Sequence, residues 1–390
     1  MTTIGVKHVT NASSPTLTRM TTSANLLPGW NNALTRPQAT ALLNASFSPY
    51  SGMTRCNLWD GTVTALYGDR CYTDTDTTNM GQCMVRLPKF YYYIDTTMAA
   101  DATPRVVYWI SNTVGDMITR EDGSTYPIAT TDVHPAFQLD GVTKDYTYIS
   151  AYEGSLKGTI LDSSSGATIA NNYTKAQFRG YAEAIGLGWE LASVQCYGAL
   201  QFLFVNEMAT LNSHDTTAGG IGNGSYGVSY TISGASIANG NTSYGTSANS
   251  TTYMTYRGIE NLWGNYAKWT EGIHTVNYRI WTHPQTATRA EYQDITFPGT
   301  GYADFGSDIA STAGSHIVTC YNSWYFFPAT NSGGAAGTYF CANWAPATGN
   351  RLLYCGLGTS GGTGGGVFGG NLSTAAAATA TSRTQYIGTT

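Results

Sequence analysis

Charge is what this chain has least of. Asp, Glu, Lys and Arg make up 11% of its 390 residues, where about 25% is usual. Beyond Asp308 the only formal charges are Arg351 and Arg383. With a net charge of −5 and no cluster of Lys or Arg, the chain lacks the basic footprint of a nucleic-acid-binding protein. No apolar run approaches the roughly 18 residues of a membrane span. The opening MTTIGVKHVTNASSPTLTRM has no apolar stretch of a secretion signal. The expectation is a protein made in a cytoplasm that reaches the outside by lysis or as part of a particle. Cysteine is sparse as well. Cys56, Cys71, Cys83, Cys196, Cys320, Cys341 and Cys355 form no CxxC pair and no regular framework, which argues against a structural zinc site and a disulfide scaffold. They are expected to be buried free thiols acting as small hydrophobes.

What the chain has instead is Tyr (28), Gly (45) and a hydrophobic content of 42%, ample for a core. The segment 335–390 concentrates Gly, Ala, Ser, Thr and Asn around a few larger side chains. Trp344, Leu352, Leu353, Tyr354, Val367, Phe368, Tyr386 and Ile387 are placed to act as buried anchors, with short side chains displayed between them. Loops of this kind carry function when a rigid scaffold holds them.

Elsewhere the pattern is mostly strand and loop. Residues 84–94 (MVRLPKFYYYI) and 106–111 (VVYWIS) read as aromatic and β-branched strands that pair as a hairpin. Two helices are expected. The first, 174–186, opens on a Thr174/Gln177 capping box, puts Phe178, Tyr181, Ala182 and Ile185 on one face, and stops at Gly186 and Gly188. The second, 193–211, carries Tyr197, Leu200, Phe204, Met208 and Leu211 at helical spacing. Residues 212–252 are rich in Gly, Ser, Asn and Thr and read as an exposed insert or lid.

Residues 256–273 (YRGIENLWGNYAKWTEGI) bring a resemblance into view. Trp263, Gly264, Asn265 and Trp269 resemble the GN-x-x-x-W signature of the C-type-lectin-like fold in its formylglycine-generating-enzyme branch. Residues 351–356 (RLLYCG) stand where that branch has R-x-x-x-G-G-S-W, and 386–388 (YIG) where it has a closing G-F-R. The departures are CGLG in place of GGSW and IGTT in place of the final Arg. LPKF at 87–90, HPAF at 134–137, YISAYEG at 148–154 and Phe327-Pro328 are similar to phage variable proteins built on this fold, including those diversified by retroelements. The resemblance covers roughly residues 50–390.

It implies an α+β, C-type-lectin-like domain at 86–390, with 1–85 a β-rich attachment or assembly region and 338–384 a variable display region. It also implies a tail-tip adhesin on a phage virion that recognises a bacterial surface protein or glycan. Its other partners would be tail proteins and copies of itself, as a trimer, with no cofactor and no metal. Candidate ligand-binding positions are Tyr339, Asn343, Trp344, Leu357, Thr359, Ser360, Thr363, Leu372, Thr374 and Thr381. Trp263 and Trp269 are expected to pack in the core, and Arg351 to bond loop carbonyls.

Retroelement diversification through NNC codons never yields Lys, Gln, Glu, Met or Trp. None of the five occurs from Ala345 to Thr384, where the chain-wide frequency of 41 in 390 would place about four. Two other classes remain open: an enzyme on the same scaffold and a structural decoration protein without a receptor. Enzymes of this branch use paired cysteines near the C-terminal end for copper and oxygen; Cys341 and Cys355 are the only candidates in that region and their spacing does not match the pattern, so a non-enzymatic protein is expected. His274, His283 and His316 show no ligand spacing. The DTDTTN run containing Asp74 and Asp76 lacks the Gly and distal Glu of a calcium loop and reads as a solvated turn. GGTGGG at 361–366 lacks the Lys-Ser/Thr of a phosphate loop.

Overall fold

The computed structural model describes residues 2–9, 17–97, 101, 104–213, 231–245, 253–283, 301–311, 314–319, 324–332, 343–356, 366–373 and 380–387, without the side chains of 314–319, 329–332, 343–345 and 373. The protein is α+β, rich in strands, with three α-helices among the described residues. α1 (Arg36–Ser46) starts where the Gln38 side chain reaches back to accept the Thr35 amide at 2.9 Å. It buries Ala39 and Leu43. α2 (Lys175–Glu183) is opened by the expected capping box: Thr174 Oγ1 accepts the Gln177 amide at 3.2 Å, and Gln177 Oε1 accepts that of Thr174 at 2.9 Å. α3 (Val194–Met208) starts at Ser193, whose Oγ accepts the Cys196 amide at 3.2 Å. All of its residues are buried, so it is a central helix rather than an amphipathic one. Its one acid, Glu207, is paired with Arg257 at 2.7 Å.

Three sheets make up most of the strand structure, and α3 packs on strands of two of them, the four-stranded and the nine-stranded. In the four-stranded sheet the order is Thr18–Arg19, Thr3–Val9, Arg105–Ser111, Tyr91–Asp95. The expected hairpin is its last pair, antiparallel with Tyr93 opposite Trp109. The strand expected at 84–94 is two strands, however. Gln82–Pro88 belongs to a different, six-stranded sheet, and the chain crosses over at Lys89 and Phe90. The first strand ends at Pro88, and Phe90 at the crossover is fully buried against Phe137 and His134. The six-stranded sheet runs Trp189–Leu191, Thr384–Tyr386, Tyr146–Ser150, Gln82–Pro88, Thr54–Trp59, Thr62–Leu66. The strand nearest the C-terminus is thus an interior strand, flanked on both sides.

A nine-stranded sheet holds most of the remaining strands. Ala267–Val276 lies between Arg279–Thr282 and Asn350–Cys355, which is followed by Gly370–Ser373 and Asn343–Ala345. Ala380–Thr381 pairs with it in parallel.

A boundary at residue 85 does not divide the molecule. It falls inside the strand Gln82–Pro88, and Ile4, Leu27, Leu43 and Cys83 share one buried cluster with Phe202, Leu353 and Phe368. The insert at 212–252 is likewise not simply exposed. In its described part Ser233 and Ser236 are buried, although Ile232, Ile237 and Tyr244 face solvent. Cys56, Cys83, Cys196 and Cys355 are buried free thiols as expected; Cys71 is exposed.

Two histidines make the core acid-sensitive. Burial pushes His134 down to about 3 and His8 down to about 4. His134 accepts the Ala136 amide on Nδ1 at 3.2 Å, so Nε2 donates to the Trp324 carbonyl at 3.3 Å. A base whose folded pKa lies below its unfolded value binds fewer protons folded than unfolded. Its contribution is therefore complete above pH 6.5 and lost as the pH falls toward 4. The unfolding free energy should fall over that window, by up to about 1.4 kcal/mol per pH unit and histidine, and urea midpoints with it. His134→Asn should flatten the slope between pH 6.5 and 5. A midpoint constant down to pH 4.5 would contradict this.

Candidate ligand-display site

Within the segment 256–273, the stretch around the WGN motif turns tightly through left-handed backbone at Asn261 (φ 49°), Gly264 (φ 76°) and Asn265 (φ 50°). Asn is among the few side chains that tolerate that region. Both Asn side chains then converge on one carboxylate. Asn261 Nδ2 donates to Glu153 Oε2 at 3.0 Å, Asn265 Nδ2 donates to the same oxygen, and the Tyr266 amide donates to Oε1 at 3.4 Å. Lys268 Nζ completes the cluster 3.0 Å from Glu153 Oε1, with both side chains fully buried. It also donates to the carbonyls of Gly264, at 2.9 Å, and Tyr266. Burial pulls the Lys268 ammonium down to about 8, a shift that Glu153 partly offsets.

Further buried charges extend this frame. Arg383 is fully buried and donates to the carbonyls of Ser150, at 2.9 Å, and Glu260. The Glu260 carboxylate accepts the amides of Gly234 at 2.9 Å and Ser236 at 2.7 Å. Glu271 is held by Lys175 at 3.1 Å and Arg179 at 2.8 Å. The carbonyl-bonding role expected of Arg351 thus falls to Arg383. Arg351 sits half-buried on its strand, with one long 3.5 Å contact to the Asn350 carbonyl.

This frame pins the C-terminal segment at intervals. Trp263 is fully buried, edge-on to Phe204 at 5.4 Å. Trp269 is 1% exposed, edge-on to Tyr354 at 4.6 Å, and donates Nε1 to the Tyr173 carbonyl at 3.1 Å. Leu352, Leu353, Tyr354, Val367, Phe368, Tyr386 and Ile387 are buried, as expected of anchors. Gly356 (φ 71°) explains the first Gly of CGLG: a Cβ there would lie 2.6 Å from the Leu262 carbonyl. Its backbone bonds Gly264 on one side and Gly369 on the other, each at 3.0 Å.

The expected display positions divide into three groups. Tyr339, Leu357, Thr359, Ser360, Thr363 and Thr374 lie outside the described residues. Asn343 and Trp344 lie on a strand flanked by Gly314–Thr319 and Gly370–Ser373, with side chains outside the description. Leu372 and Thr381 are corrected. Leu372 is 6% exposed, opposite Leu353, and Thr381 is fully buried beside Lys268 in the parallel pair. Both stand on short strands of the sheet, not between its anchors. The segments 357–365 and 374–379 are bounded by buried residues, Gly356 and Gly366 for one, Leu372 and Ala380 for the other.

Asp74 is a second correction. Rather than sitting in a solvated turn, it accepts the hydroxyls of Tyr72 at 2.7 Å and Tyr152 at 2.6 Å beside Arg55 at 3.4 Å. Asp76, in contrast, closes an exposed turn on the Thr78 amide at 3.1 Å. Among the described residues no group of three or more His, Cys, Asp or Glu is placed to hold a metal ion, and no helix is long and apolar enough to cross a membrane. Burial pushes the Cys355 thiol up to about 11, where it pairs with the Tyr325 hydroxyl at 3.1 Å. Cys341 lies outside the described residues. Neither a scan against protein-family models nor a search of curated proteins returns a match.

Proposed function

We propose that this protein is a receptor-binding protein of a phage virion, with a C-type-lectin-like domain that presents the segments 357–365 and 374–379 to a bacterial surface. The observation that carries the reading is the clamping of both segments between buried residues of one sheet, with the following strand Thr384–Tyr386 closed into the interior of another. A terminus returned to the core in this way, the convergence of Asn261 and Asn265 on Glu153, and the burial of Trp263 and Trp269 all support the C-type-lectin-like assignment. In such an arrangement the exchange of short side chains between fixed ends costs little stability, about ±0.5 kcal/mol at surface positions. Recognition then changes without refolding, which suits diversification by a retroelement.

A face of short side chains binds weakly per copy. Assembly as a trimer, through this chain and neighbouring tail proteins, would supply avidity of about 10²–10⁴. The test uses labelled full-length protein on a panel of bacterial strains. Simultaneous replacement of Leu357, Thr359, Ser360, Thr363 and Thr374 by Gly or Ala should abolish retention on strains that bind the parent, with melting temperature and oligomeric state unchanged. Undiminished retention would place recognition on another face.

A further inference from the structure

A groove at the tip of one hairpin lies far along the chain from the segments 357–365 and 374–379. The hairpin joining Thr54–Trp59 to Thr62–Leu66 turns through Asp60 (φ 44°) and Gly61 (φ 76°), both left-handed, as a two-residue hairpin turn requires. Gly61 rests directly on the Tyr386 hydroxyl, leaving no room for a side chain, and Tyr386 packs tilted against Trp189 with ring centroids 5.2 Å apart. The hairpin tip is therefore braced from behind by the C-terminal strand. Trp59, at that tip, is nevertheless 48% exposed. It forms one wall of a groove of about 470 Å3, with Leu58, Ile160, Ile185 and Trp189 supplying other apolar surface. That volume is within the roughly 300–1,000 Å3 of small-molecule sites.

The polar groups of the groove are few and partly unused. Asp60 has no hydrogen bond or ion pair among the described residues. Gln82 spends its Oε1 on the Ser163 amide at 2.6 Å, and its Nε2 has no protein partner among the described residues. Lys157 Nζ is held at the rim by Thr77 Oγ1 at 3.2 Å and by Thr78 Oγ1. One carboxylate and one ammonium give the groove no net charge, so neither a phosphate nor a cationic ligand is favoured. An open indole face with an amide donor, a carboxylate acceptor and an ammonium around it matches a pyranose ring. The ring's C–H face packs on the indole, and its hydroxyls both donate and accept.

We propose that this groove is a binding site for a neutral saccharide unit, stacked on Trp59 and hydrogen-bonded by Asp60, Gln82 and Lys157. It shares no residue with 357–365 or 374–379, so it stands or falls independently of the display reading.

The experiment is saturation-transfer NMR and indole fluorescence titration of the full-length protein with glucose, galactose, N-acetylglucosamine and maltose. At least one should bind and perturb indole emission. Trp59→Ala should weaken that binding about tenfold or more, Trp59→Phe should retain part of it, and Asp60→Asn, which keeps the turn, should weaken it less. The melting temperature of Trp59→Ala should stay at the parent value. The proposal is overturned if none of the four sugars binds, if Trp59→Ala binds them as the parent does, or if inorganic phosphate competes for the same indole signal.

Discussion

Glu153→Ala should be among the most destabilising single substitutions in this protein. It strands the Lys268 ammonium in a fully buried site and leaves the Asn261 and Asn265 amides without their acceptor. Removing one partner of a buried pair costs about 3–5 kcal/mol, a large share of the roughly 5–15 kcal/mol that holds a domain folded. The loss would be felt at a distance, because the cluster ties the strand Tyr146–Ser150 and its extension to the segment that leads into Ala267–Val276. Removing both charges is a different matter. Glu153→Leu with Lys268→Met keeps the volume and removes both members of the pair, and the two changes together should cost less than Glu153→Ala alone. Urea unfolding of the single and double variants measures this directly. A single variant within about 1 kcal/mol of the parent would show that the cluster is not what holds the segment.

Trp263→Ala and Trp269→Ala should each cost about 3–5 kcal/mol while leaving recognition intact in the fraction that stays folded. Trp263 packs on α3 through Phe204, and Trp269 braces Tyr354 and bonds the chain just before α2. Neither is exposed by more than 1%. Thermal unfolding together with retention on cells, normalised to folded protein, separates the two roles. Variants as stable as the parent that no longer bind would make these residues ligand contacts.

Local signals in the sequence translated well into structure. The Thr174/Gln177 box and Ser193 start helices because their side chains satisfy amides three residues away, and that is visible in a short window. Trp263, Trp269, Phe368 and Ile387 are buried because large apolar side chains among small polar ones have nowhere else to go. α1 carried a readable sign, Thr35 followed three residues later by Gln38, but its apolar stripe is short and only Ala39 and Leu43 are buried. Other features have no local sign. Arg383 bonds a carbonyl 233 residues away, and Ser236 is buried because its amide serves Glu260. Leu372 and Thr381 sit on strands of four and two residues, too short for alternation to show which side faces the core. The run 84–94 does carry a sign of its break, Pro88 followed by Lys89, at the point where the chain leaves one sheet for another.

The central claim is that recognition is carried by 357–365 and 374–379 on a frame indifferent to their sequence. A library randomised over both segments, displayed as full-length protein, can be sorted in parallel for protease resistance and for retention on several bacterial strains. The account predicts that most members resist protease like the parent, and that each strain enriches its own set of sequences in these segments. Protease resistance that collapses across the library, or the same retention for every folded member on every strain, would contradict it.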